Sequence, residues 1–88
     1  MTETDTLINY LLPSSDSPES LYKQLSRSLH NAIQQGMLNP GDSLIPEREL
    51  ANKLNLSRIT VRKAIDQLVD IGVLQKHHGA GTVVSDNV

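Results

Sequence analysis

Residues 57–63 read Ser57-Arg58-Ile59-Thr60-Val61-Arg62-Lys63, and this stretch decides the fold. Three basic side chains fall in seven residues with no acid among them. Ser57 is a helix-capping residue type, and apolar positions at helical spacing follow it. In a helix from about Arg58 to Ile71, Val61, Ala64, Ile65 and Leu68 share one face. Ile59, Lys63, Asp66 and Asp70 share the opposite face, with Arg62 on its flank. The outward side is apolar and basic at its front and acidic at its back. A helix N-terminus exposes amides and the positive end of the helix dipole, so its first turns suit phosphate. Side chains there can also enter a major groove ahead of the rest of the helix. The acids at 66 and 70 would repel phosphate, so only the first two turns are expected in such a groove.

Upstream, residues 47–54 predict a short helix. Pro46 suits its start because it lacks an amide hydrogen, Glu47 and Glu49 complement its dipole, and Leu50, Ala51 and Leu54 form its buried edge. Asn55 tolerates the left-handed conformation that ends it, and Leu56 plugs the turn before the Ser57 cap. Further back, Leu21, Leu25, Leu29 and Ile33 recur every four residues, with Tyr22 and Ala32 widening the stripe. They predict a helix from about Ser20 to Gln35, stopped at Gly36. Asn39-Pro40-Gly41-Asp42 is a turn, and Ser43 to Ile45 a short extended piece. Downstream, Gly72 ends the basic helix. Val73–His77 and Thr82–Ser85 then predict two strands around His78-Gly79-Ala80-Gly81, a glycine-rich hairpin tip. The expected fold is mainly α with a small β-hairpin wing. It is a winged helix-turn-helix of three helices plus a two- or three-stranded antiparallel sheet, over residues 20–88.

The leader, residues 1–19, is expected to be mobile, because 1–6 and 13–20 are rich in Ser, Thr, Asp and Pro. The apolar patch Leu7-Ile8-Asn9-Tyr10-Leu11-Leu12 interrupts it. It reads as an arm packed loosely on the domain, or as a contact with a second copy or another domain. The patch is too short for a signal peptide or a membrane span.

Bulk composition narrows the function. With 88 residues, two Tyr, no Phe and no Trp, a single small core must be built from Leu, Ile, Val and Ala. The absence of Cys excludes disulfides and thiolate metal sites. The net charge of −2 argues mildly against a nucleic-acid partner, but its distribution reverses that. Residues 1–19 hold four acids and no Lys or Arg, which leaves 8 basic against 6 acidic side chains in residues 20–88. A domain this weakly charged binds DNA modestly unless paired. His77 and His78 do not predict a metal site, since neighbours on a strand point to opposite sides and no third ligand is near. Ser57, His78 and Asp66 are triad residue types only by composition, and the glycines at 79 and 81 are too few for a phosphate loop. No cofactor and no enzyme activity are expected.

Residues 21–84 resemble the N-terminal winged-helix domain of GntR-type bacterial transcription regulators. The matching pieces run in order: Leu21-Tyr22-Lys23-Gln24-Leu25, Ile33, Gly36, Pro40-Gly41-Asp42, Leu44, Glu47-Arg48-Glu49-Leu50-Ala51, Ser57-Arg58, Thr60-Val61-Arg62, Ala64, Leu68, Gly72, Leu74, and Gly79-x-Gly81-Thr82-x-Val84. The resemblance implies that Arg48 projects from the second helix toward bases or phosphate. Arg58 and Arg62 match arginines that reach guanine edges and adjacent phosphates. Ser57 and Thr60 match phosphate-contacting hydroxyls, and His78 and Gly79 match a wing tip that approaches the minor groove. The chain departs from the usual pattern at Ile45-Pro46 (Pro-Ser), Asn55 (Gly), Ala80 (Arg) and Val83 (Phe). The first loses a hydroxyl able to cap the second helix and touch phosphate, and Ala80 loses a charge.

Each site residue also has a plainer reading. Arg58 and Arg62 could be solvated helix charges, and Arg48 could pair with Glu47, Glu49 or Asp42. Ser57 is first a helix cap. Ile59 is either a tolerated exposed residue or a thymine-methyl reader, and Lys63 is expected to meet phosphate. The implied function is sequence-specific binding of double-stranded DNA, with an operator that is an inverted repeat, by a cytoplasmic repressor or other transcription regulator. The resemblance also implies a C-terminal domain, absent from this chain, that forms a homodimer and takes a small-molecule effector. Two alternatives stay open: fusion to an aminotransferase-like pyridoxal-phosphate domain, and a winged helix used for protein–protein contact.

Overall fold

A computed structural model describes residues 3–12, 20–77 and 81–85. The elements are α1 (Glu3–Leu11), α2 (Leu21–Gln34), α3 (Glu47–Leu54), α4 (Arg58–Asp70), β1 (Leu74–His77) and β2 (Gly81–Val84). The last three helices are those expected from the apolar spacing, and their ends fall within a residue or so of expectation. The first is not expected as a helix: it is the leader's apolar patch, packed on the domain as an arm, so residues 3–12 are not part of the mobile leader expected. Leu7 and Leu11, one turn apart, are buried against α2 and α3, and Gln35 Nε2 donates to the Tyr10 hydroxyl at 3.2 Å. Nine residues alone are too few for a stable helix in water, so α1 exists through this packing.

The three helices α2, α3 and α4 end by the same device. Beyond each last turn one residue turns left-handed: Gly36 at φ 83°, Asn55 at φ 56° and Gly72 at φ 84°. The following amide then reaches back to the last turn: Met37 to Ala32 O, Leu56 to Ala51 O and Val73 to Leu68 O, all at 2.9 Å. This satisfies carbonyls that a helix end would leave bare and folds an apolar side chain under the helix. After α3 asparagine stands in place of glycine and still makes the stop, because it tolerates that conformation better than most residues.

The core lies between α2, α3 and α4. Leu25, Leu29, Leu50, Ile65 and Leu68 form its centre. Leu21, expected in the stripe, is exposed instead, at the very start of α2. β1 and β2 pair antiparallel with Leu74 opposite Val84 and His77 opposite Gly81. The segment before α3 lies along the other side of β2. Leu44 N donates to Thr82 O at 2.8 Å and Val84 N to Asp42 O at 2.9 Å, with Ser43 bridging Val83. The hairpin is therefore anchored both to the end of α4 and to the chain that leads into α3.

Candidate nucleic-acid interface

The front of α4 is built as its sequence requires. Ser57 is extended, and its Oγ accepts from the Thr60 amide at 3.1 Å. The two hydroxyls also bond each other at 2.8 Å. One hydroxyl hydrogen is used within that pair, so one remains for an outside acceptor. Val61, Ala64, Ile65 and Leu68 are sealed in the core, which turns Arg58, Ile59 and Arg62 outward. Ile59 is 76% exposed, a high value for an apolar side chain this close to charged neighbours.

A groove of about 820 Å³ opens beside this front. One wall is Leu44, Ile45 and Pro46 with the first turn of α3, Glu47 and Arg48. The second is Arg58 and Arg62 of α4, and the third is the hairpin, with Lys76, His77, Gly81 and Thr82. The three sequence-predicted arginines thus meet in one place, on the same side as the hairpin. Arg48 and Arg58 have no ion pair among the described residues. Arg62 has one: its Nε lies 3.4 Å from Glu47 Oε1. That contact occupies one of the five guanidinium N–H groups and leaves both terminal nitrogens available.

Other expectations are placed differently. Lys63 does not line the groove. Its Nζ sits 4.9 Å from the Tyr22 ring centroid, a cation–π contact that holds it against α2. Asp66 is not a bare repelling charge, because Lys76 Nζ lies 2.6 Å from its Oδ1 and ties β1 to the back of α4. His78 and Gly79 lie outside the described residues. Sequence reasoning missed Glu47 as a partner for Arg62, and missed Lys76, His77 and Thr82 as groove residues. Their approach depends on strand register and on contacts between residues far apart in sequence. A cation alternating with polar residues next to the glycine tip was the one signal available.

The family described as bacterial regulatory proteins, gntR family, matches residues 21–84. The chain is similar to the mannosyl-D-glycerate transport/metabolism system repressor MngR of Escherichia coli, with 39% identity over 66 residues. That match covers 75% of this chain and 28% of MngR, and the chain spans under a third of the other curated relatives it resembles. Among solved structures it is similar to YtrA from Sulfolobus acidocaldarius, a GntR-family transcription factor, at a TM-score of 0.82 and 34% identity, covering 89% of this chain and 83% of that one. It is also similar to the AraR DBD solved in complex with operator ORE1, at a TM-score of 0.74 and 34% identity, covering 83% and 89% respectively. With the family match spanning most of its length, and the same winged helix-turn-helix fold, this chain belongs to the GntR family of bacterial regulators.

Proposed function

We propose that this chain is the operator-binding part of a transcription regulator, holding double-stranded DNA with α4 in the major groove and the hairpin tip at the minor groove. The observation that carries the reading is the convergence of Arg48, Arg58 and Arg62 with the hairpin on one groove. Arginine suits the task because its planar fork matches guanine O6 and N7, or a phosphate. Arg58 and Arg62 read bases, and Arg48 reaches a base or phosphate from α3. The spare hydroxyl hydrogen of the Ser57–Thr60 pair goes to phosphate, and Ile59 meets a thymine methyl. Lys63 meets backbone at the α2 flank. His78 and Gly79 form the tip that approaches the minor groove.

A module with so small a positive charge grips DNA modestly, so two copies act together on an inverted repeat. The second copy is brought by a C-terminal domain that also takes a small-molecule effector. Binding represses transcription, the role named for MngR, within the bacterial cytoplasm, and no enzyme chemistry is involved. The test is selection of bound sequences from random duplexes, repeated with Arg62→Ala and across a salt series. We expect the preferred sequence to lose one guanine, a change of about 1–3 kcal/mol in discrimination. Affinity should fall log-linearly with salt, with a slope of about −0.9 per phosphate neutralised. An unchanged motif, or affinity insensitive to salt as in an apolar protein contact, rejects the reading.

A further inference from the structure

Glu47 is the one acidic side chain lining the groove among the described residues. An acid there is costly for a surface that receives a polyanion, since it repels the phosphates the arginines attract. The carboxylate faces an arginine. Its side chain is only 23% exposed, against 56% for Arg62, and it lies 3.4 Å from Arg62 Nε. Arg48 and Arg58, the other two groove arginines, have no such acid among the described residues.

The consequence lies in which atom Glu47 takes. Nε is the inner nitrogen of the guanidinium, so the contact restrains the plane of the group while both terminal nitrogens stay free. Those are the atoms a guanine edge requires in a fixed fork. A long, flexible arginine without this restraint can reach a nearby phosphate instead, and phosphate carries no sequence information. We infer that Glu47 is a specificity-determining positioning residue, which holds Arg62 in the orientation that reads a base and withholds it from phosphate. The inference rests on the base-reading role proposed for Arg62.

The test compares Glu47→Ala, Glu47→Gln and Arg62→Ala in the 88-residue chain, with circular dichroism establishing that each folds. The readout is the ratio of affinities for the selected duplex and for a scrambled duplex at one salt concentration, with the base preference at each position. Glu47→Ala should narrow that ratio about tenfold, a loss in the range of one base contact. It should tighten scrambled-duplex binding and relax the same base position as Arg62→Ala. Glu47→Gln keeps an oxygen that accepts from Nε, so its ratio should stay closer to that of the original chain than to Glu47→Ala. If Glu47→Ala tightens both duplexes equally, or if Gln behaves as Ala, Glu47 acts only as a local negative charge and the inference is overturned while Arg62 keeps its role. If Arg62→Ala leaves the motif intact, the base-reading role itself is at fault.

Discussion

The two faces of α4 are composed under opposite constraints. The inward face, Val61, Ala64, Ile65 and Leu68, is at most 1% exposed and is chosen for shape. The outward front, Arg58, Ile59 and Arg62, touches little and is chosen for what it can still bind. The inward face fixes where the helix stands. The outward face decides what it meets there, and its residues are free to change without endangering the fold. Stability and recognition are therefore separable along one thirteen-residue helix.

The largest break in that comparison should come from the inward face. Ile65→Ala removes a fully buried side chain and should cost about 2–5 kcal/mol of unfolding free energy in urea titration. Intact stability would mean that Ile65 does not sit in the core. Ser57→Ala tests the residue that serves both faces, capping the helix and pairing with Thr60. It should cost about 1 kcal/mol of stability, and should also weaken scrambled and selected duplexes alike. A loss confined to the selected sequence would contradict a phosphate-side role. The smallest effect is expected at Asp66, where the outward face turns structural. Asp66→Asn frees Lys76 from an exposed pair worth about 0.2–1 kcal/mol. Affinity for any duplex should rise slightly, through the freed ammonium and the removed acid. Weaker binding would show that fixing the hairpin outweighs both.

Much of this was legible in the residues alone. The bounds of α3 follow from Pro46 and Asn55, and the start of α4 from Ser57, because capping and helix-stop chemistry is local. Arg58 and Arg62 are legible because their four-residue spacing on one helix places them together, whereas Arg48, on α3, follows from the family resemblance. What escaped depends on distance in sequence. Leu7 and Leu11 belong to a six-residue patch, broken only by Asn9, that is too short to show a stripe, so α1 is defined by the helices it packs on. Glu47 approaches Arg62 across fifteen residues, and Lys76 approaches Asp66 across ten, by tertiary placement and strand register. Lys63 is expected from the sequence to meet phosphate, yet its neighbour is a tyrosine on another helix, which no spacing rule within α4 announces.

The turn between α3 and α4 carries one more consequence. It is only Asn55-Leu56-Ser57, locked at one end by the Leu56 amide on Ala51 and at the other by the Ser57 hydroxyl on Thr60. With both ends of the turn tied in this way, the two helices are expected to hold one relative orientation. A duplex that receives them has to supply the compliance itself, by local bending or groove widening. Base steps that deform cheaply would then be favoured even at positions no side chain reaches.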